Sequence, residues 1–247
     1  MIELINLYKE FGKHPVLRGV NLTIRDGETM VIIGRSGCGK SVLLKHMIGL
    51  MKPDEGQVIV DGEEVSRASG ETLRRLRLKF GMLFQGAALF DSLTVGENVA
   101  FSLREHTPME EPEIQARIVE CLGYVGLSGI EHLKPAELSG GMRKRVGLAR
   151  ALAIKPRVIL YDEPTTGVDP IGADAINRLI LRLHDRLKVT GVVVTHDMVS
   201  ATKIADRIAM LHEGRILQVG TVEEIRSTSN PVVRQFILGV SENEEGK

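Results

Sequence analysis

The chain is short of cysteine, with two in 247 residues, Cys38 and Cys121. They stand far apart and lack the paired spacing of a metal site, which leaves out a disulfide-stapled scaffold and points to a reducing compartment. A charge excess of either sign is missing as well: 32 Lys and Arg face 32 Asp and Glu. A balanced chain lacks the broad basic footprint of a nucleic-acid binder, so no nucleic-acid partner is expected. Long apolar runs are absent, none approaching the ~20 residues that span a bilayer. The opening Met1-Ile2-Glu3-Leu4-Ile5-Asn6-Leu7 has no basic stretch followed by an apolar one, so no leader is read there. The expectation is a soluble cytoplasmic chain that meets a membrane only through partners. No internal repeat is found, and the length allows one large domain, or one domain with an insertion, around a sizeable core.

Against these absences, one stretch is dense with chemistry. Gly34-Arg35-Ser36-Gly37-Cys38-Gly39-Lys40-Ser41 fits the GxxxxGK[ST] phosphate-binding loop in full. It lies between an apolar run, Met30 to Ile33, and an amphipathic run opening with Val42-Leu43-Leu44, so a strand feeds a glycine loop that opens a helix. There the backbone N–H groups converge and the helix N-terminus adds positive potential, which suits a polyphosphate. The motif gives Lys40 the β- and γ-phosphates and the Ser41 hydroxyl a Mg²⁺ ion. Cys38 sits among these residues with no base or metal cluster beside it.

Around this loop the chain alternates between patterns. Leu4, Leu7, Val16, Leu17, Val20, Leu22 and Ile24 fall in short alternating runs, read as an antiparallel β layer. A helix from Lys40 to Leu50 ends at the Lys52-Pro53-Asp54-Glu55-Gly56 turn, and Gln57 to Val65 reads as a hairpin through a type I′ turn at Asp61-Gly62. A charged helix, Glu71 to Lys79, leads to the short strand Phe80 to Phe84. From Gly86 to about Ala153 the pattern is helical, with candidates at Val95 to Arg104 and Pro112 to Val125. Strands at Arg157 to Tyr161, Gly191 to Thr195 and Arg207 to Leu211 then alternate with helices at Ile171 to Lys188 and Met198 to Ala205, followed by a short strand near Arg215 to Val219. Such alternation predicts an α/β fold with a mostly parallel sheet. Pro231 to Leu238 reads as a short amphipathic helix, and Glu242 to Lys247 as a polar tail.

Two further constellations carry chemistry. Val158 to Tyr161 delivers Asp162 and Glu163 at the carboxyl end of a buried strand, where parallel sheets place ligands. Asp162 suits a Mg²⁺ shell and Glu163 the activation of water, although adjacent acids at a strand end are also common on surfaces. Leu138-Ser139-Gly140-Gly141-Met142 precedes the helical run Arg143 to Ala153, either as an ordinary serine N-cap or as a second anion site. A second anion site in one chain suggests completion of another molecule's nucleotide site.

With these residues in view, the chain resembles the ATP-binding subunit of an ATP-binding cassette (ABC) transporter over nearly its full length. The resemblance rests on the loop Gly34 to Ser41, the Q-loop glutamine Gln85, the signature Leu138 to Met142, the strand with Asp162 and Glu163, the D-loop Gly167-Val168-Asp169, and the switch histidine His196, in that order. It implies a P-loop NTPase ABC ATPase domain with a mostly parallel core sheet, an antiparallel β subdomain and an inserted α-helical subdomain. About 1–86 and 156–230 would form the core with its β subdomain, about 87–155 the helical subdomain, and 231–247 a C-terminal tail.

The resemblance also implies roles. ATP and Mg²⁺ are the ligands, held between the phosphate loop of one copy and Ser139, Gly140 and Gly141 of another in a head-to-tail homodimer. Phe11 takes the place of the aromatic residue that stacks on adenine, with a core or edge-strand role as its alternative. Gln85 reaches Mg²⁺ and the attacking water, His196 contacts the γ-phosphate, and Asp169 acts across the dimer; Asp169-Pro170 equally suits a plain helix start. Two departures stand out: Met142 replaces the usual glutamine, and Val42 the usual threonine. The wording Leu83-Phe84-Gln85-Gly86-Ala87-Ala88-Leu89-Phe90, then Leu138 to Arg145, then Asp162-Glu163-Pro164-Thr165-Thr166-Gly167-Val168-Asp169-Pro170-Ile171, is similar to the ATPases of Mla/MCE-type phospholipid transporters. The resemblance implies an integral membrane permease, an MCE-type lipid-binding protein and a small regulatory subunit as partners, with this chain held by the permease on the cytoplasmic face of the inner membrane. The competing classes are the ATPase of another small-molecule transporter and a soluble ABC-type ATPase for scaffold assembly. The clusters Arg74, Arg75, Arg77, Lys79 and Arg143, Lys144, Arg145 read as solvated faces or as contacts to a partner or nucleotide.

Overall fold

The structure is a computed structural model and describes residues 1–240. The tail read from Glu242 to Lys247 lies outside the described residues. In chain order, β1 (Ile2–Phe11), β2 (His14–Ile24) and β3 (Thr29–Ile33) precede α1 (Lys40–Met47), β4 (Glu55–Val60), β5 (Glu63–Glu64), α2 (Gly70–Arg77) and β6 (Phe80–Leu83). Helices α3 (Val95–His106), α4 (Glu111–Tyr124) and α5 (Gly140–Leu152) follow, with a 3-10 turn at Pro135–Glu137 ahead of α5. Then come β7 (Val158–Asp162), α6 (Pro170–Leu187), β8 (Thr190–Thr195), α7 (Met198–Ile204), β9 (Arg207–His212), β10 (Arg215–Gly220), α8 (Val222–Arg226) and α9 (Pro231–Leu238). Among the described residues no helix is long and apolar enough to cross a membrane.

The chain divides into two compact units, one of Met1–Ala68 with the segment from Val194 onward, the other of Ser69–Val193. In the first unit, β2-β1-β4-β5 form an antiparallel sheet. The alternation in β1 slips between Leu4 and Leu7, yet both are buried. A bulge at Asn6, φ +49, takes up the extra residue and returns Leu7 to the buried face. Asp61 and Gly62 have φ +52 and +81, the paired left-handed geometry of a type I′ hairpin. Beside this layer β3 runs parallel to β9, and β9 pairs antiparallel with β10. All of β3 is buried, as a continuous Thr-Met-Val-Ile-Ile run requires.

In the second unit β6 and β7 are parallel and wholly buried. Helices α3, α4 and α5 pack against one another, and α5 also packs on β6. A capping box at Thr94 and Glu97 opens α3, and Pro112 stands in the first turn of α4, where its missing N–H costs nothing. The last carbonyls of α5 have a side-chain partner: Arg117 on α4 donates to Leu152 O at 2.6 Å and Ala153 O at 2.9 Å.

One local reading changes, and one element is added. The helix behind the phosphate loop stops at Met47, short of Leu50, because Gly49 turns left-handed (φ +68) and the Leu50 N–H closes on Lys45 O at 2.8 Å. The short helix α8 had not been read from the sequence, although its capping box, Thr221 with Glu224, was there to see.

Candidate functional site

In the first unit the phosphate loop leaves the end of β3. A Cβ at Gly34 would lie 2.3 Å from Leu211 O and 2.7 Å from Cys38 Sγ, so no side chain fits there. Gly39 caps α1 with φ +106, a conformation closed to other residues without strain. Arg35, Ser36 and Gly37 are exposed, Cys38 and Ser41 half-buried, and Lys40 buried. The Lys40 ammonium donates to Gly34 O at 2.8 Å and Arg35 O at 3.2 Å, so the lysine stands inside the loop. The start of α1 has neither a side-chain cap nor an acidic residue in its first turn. A helix start left in that condition directs its amides and dipole at an anion, and the loop therefore fits a polyphosphate.

Phe11, at the end of β1, is 45% exposed with Lys9 Nζ 5.7 Å from its ring centroid, which rules out the core alternative. His196 is exposed directly after β8, and the next residue, Asp197, caps α7 by accepting from Val199 N at 2.9 Å and Ser200 N at 3.2 Å.

In the second unit Asp162 is the last residue of β7 and is buried, as is Glu163 after it. Glu163 has φ +47, uncommon for a non-glycine residue. The turn it begins is bonded throughout: Thr166 Oγ1 donates to Glu163 Oε2 at 3.2 Å and Thr166 N to Glu163 O at 3.2 Å. Lys144 reaches this turn from α5 and is buried, contrary to both readings of its cluster as surface charge or partner contact. Burial pushes its ammonium below the ordinary lysine range, an effect that the Glu163 charge opposes. In the other cluster Arg74 and Arg75 are exposed, with Arg74 paired to Glu71 at 2.6 Å, while Arg77 and Lys79 are half-buried.

Gln85 follows β6 and is exposed. Just beyond it Ala87 and Ala88 both turn left-handed, φ +63 and +48, and the Arg150 guanidinium donates to both of their carbonyls, at 2.9 and 2.7 Å. The sequence offered no sign of this strained pair, because neither residue is a glycine.

Ser139 caps α5, its Oγ accepting from Met142 N at 3.2 Å, and Asp169 caps α6, accepting from Ile171 N at 3.0 Å and Gly172 N at 2.9 Å. The plain capping readings of both residues are therefore correct. The same residues also share a surface: Ser139, Gly140, Gly141 and Arg145 line a cavity of about 390 Å³ together with Gly167 and Asp169. Sequence spacing had not predicted this meeting of signature and D-loop. Among the described residues no cluster of three or more His, Cys, Asp or Glu could hold a metal ion. Ser41 in the first unit and Asp162 in the second each offer an oxygen donor of the kind Mg²⁺ takes, few from protein and the rest from phosphate and water.

The family model for ABC transporters matches residues 17–166, from before the phosphate loop to just past Glu163. The chain is 43% identical over 238 residues to the probable ribonucleotide transport ATP-binding protein mkl of Mycobacterium tuberculosis, covering 96% of this chain and 66% of that one. It thus spans just under two thirds of that relative's length. It is 39% identical over 242 residues to the intermembrane phospholipid transport system ATP-binding protein MlaF of Haemophilus influenzae, covering 98% and 92% of the two chains. Among solved structures, the dimeric post-hydrolysis state of the ATP-binding cassette MJ0796 bound to ADP and Pi matches with a TM-score of 0.83 and 36% identity, over 90% of this chain and 99% of that one. The complete phosphate loop, the signature cap at Ser139 and the buried pair Asp162 and Glu163 thus fall in a known frame, and the chain belongs to the ABC transporter family as an ATP-binding and ATP-hydrolysing domain with the P-loop ABC ATPase fold.

Proposed function

We propose that two copies of this chain close head to tail over two ATP molecules and that hydrolysis of that ATP drives an integral membrane permease, which holds the ATPase at the cytoplasmic face of the membrane. The observation that carries the dimer reading is the cavity at the start of α5. Its lining joins Ser139–Met142 and Arg145 to Gly167, Val168, the capping Asp169, Gly172 and Ile176. In this reading the loop amides of Gly34, Arg35, Ser36, Gly37, Cys38 and Gly39, with Lys40, hold the β- and γ-phosphates, and Phe11 stacks on the base. Mg²⁺, once bound, neutralises charge on the phosphates, and Ser41, Asp162 and Gln85 are the residues that hold it or its water. Glu163 accepts a proton from the attacking water as the water oxygen bonds to the γ-phosphorus and the bond from that phosphorus to the β,γ-bridging oxygen breaks, so that ADP leaves with the bridging oxygen, and His196 orients the γ-phosphate. Ser139, Gly140 and Gly141 of the partner copy supply the remaining N–H donors, with Asp169 acting across the interface.

The two cysteines give this site a chemical test. Cys121 is buried in α4, where burial pushes its thiol up to about 11, while Cys38 is half-buried in the loop. A thiol alkylating reagent at neutral pH is expected to modify Cys38, spare Cys121 and block ATP binding, with added ATP slowing the reaction. Mass spectrometry of the adducts and nucleotide titration check this. Parental ATP affinity in Cys38-alkylated protein would remove the loop from the site.

The cargo is a separate matter, since the ATPase seldom touches it. Similarity to a relative named for ribonucleotide transport supports a transporter ATPase of open cargo class. A lipid cargo, with an MCE-type lipid-binding protein and a small regulatory subunit in the complex, is the second reading, supported by the match over 92% of the MlaF chain. Purification of the tagged protein from membranes in mild detergent separates them. A permease carrying an MCE-type protein and bound phospholipid favours the lipid reading, and a permease with a soluble solute-binding protein favours a small molecule. Recovery of no permease at all counts against the transporter reading and for scaffold assembly.

A further inference from the structure

Lys144 is a cation in an unusual setting. Its neighbour Arg143 is exposed and donates to Leu138 O at 2.6 Å, while Arg145 turns to the signature cavity. Lys144 alone of the three goes inward, with 8% of its surface exposed. An ammonium has three N–H donors, and three backbone carbonyls of one turn take them: Glu163 O at 3.2 Å, Pro164 O at 2.8 Å and Thr166 O at 2.7 Å. Backbone oxygens that converge on one cation cannot separate without exposing a buried charge. The turn they fix begins at Glu163 in its left-handed conformation, which relaxes unless its surroundings hold it. The side chain of Glu163 is held at its other end by Thr166 Oγ1, and the carbonyl of Thr166 is one of the three on Lys144. The cation therefore sets the backbone from which the carboxylate projects and the hydroxyl that orients it. Because α5 opens at Ser139, this tether runs from the helix that carries the signature to the strand end that carries the general base.

We propose that Lys144 is the positioning residue that fixes the Glu163 carboxylate for activation of the attacking water. The inference rests on the reading of Glu163 as the base for ATP hydrolysis. All three hydrogen bonds of the Lys144 ammonium go to carbonyls of the turn 163–166, and through that turn it holds Glu163.

Lys144→Met tests this by keeping an unbranched apolar stem and removing all three donors. It is expected to lower kcat by about 10- to 100-fold, the effect of a small misplacement of a catalytic group. KM for ATP and ATP-driven dimerisation are expected to stay at parental values, since no nucleotide contact is lost. Lys144→Arg, which retains donors on a long stem, recovers part of the rate. In a Glu163→Gln background Lys144→Met brings no further loss, because no base remains to be positioned. Thermal unfolding accompanies each measurement, and if Lys144→Met does not fold, Lys144→Gln is expected to show the same split, a lower kcat at constant KM. A parental kcat in the folded Met or Gln variant overturns the proposal, as does a raised KM with unchanged kcat or a further loss in the Glu163→Gln background. The two levels fail differently. An inactive Glu163→Gln beside a fully active Lys144→Met removes only the role of Lys144, whereas a fully active Glu163→Gln removes the base and this inference together.

Discussion

Glu163→Gln is expected to lower ATP turnover by about 10²–10⁴-fold, the worth of a positioned general base, while ATP binding remains. The amide has almost the shape of the carboxylate, so the contact from Thr166 Oγ1 and the turn held by Lys144 have no steric reason to change. What disappears is the group that takes the proton as the water oxygen attacks. In the proposed site a negative charge beside the γ-phosphate would disappear as well, and with it a repulsion that opposes closure over ATP. The variant is therefore expected to stay dimeric with ATP where the parent hydrolyses and separates. Phosphate release in single turnover reads the first effect and size-exclusion chromatography with ATP the second. Hydrolysis at the parental rate would end the assignment of Glu163.

The second large effect is one of complementation. If each site joins the phosphate loop of one copy to Ser139-Gly140-Gly141 of the other, Lys40→Ala and Ser139→Arg each damage both sites of their own homodimer. Each homodimer is expected to lose about 10²–10³-fold in kcat, the range for removal of one preorganised donor. A mixed dimer collects both faults in one site and leaves the other intact. Mixing two inactive preparations is thus expected to restore ATP hydrolysis, and tandem purification on two tags isolates the species responsible. Equal inactivity of the purified mixed dimer would mean that each site is built within one copy.

Much of this was legible in the sequence because the signals were local. The loop from Gly34 to Ser41 lies between an apolar run and an amphipathic one, and the structure has β3 and α1 there. The hairpin at Asp61-Gly62 was readable from two residues that tolerate positive φ, and α9 from its proline and apolar spacing. What escaped was tertiary. Lys144 carries the same letter whether its ammonium meets water or three carbonyls, and only the packing of α5 decides which. Ala87 and Ala88 adopt a backbone that their side chains disfavour, held by Arg150, which lies far along the chain. The shared cavity of Ser139 and Asp169 joins two helix starts whose separation in sequence says nothing of their distance in space. The α8 capping box is a different case, a local signal spread over too few residues to stand out.

The bare start of α1 has a thermodynamic meaning beyond recognition. Where α5, α6 and α7 begin on Ser139, Asp169 and Asp197, α1 begins on Gly39, which has no side chain to serve as a cap. An absent N-cap costs a helix ~1 kcal/mol, and a bound phosphate supplies the missing acceptor. Nucleotide thus completes the secondary structure of this segment as well as occupying a site, and by mass action it raises the stability of the folded chain. Bound nucleotide is therefore expected to raise the unfolding temperature in a concentration-dependent way.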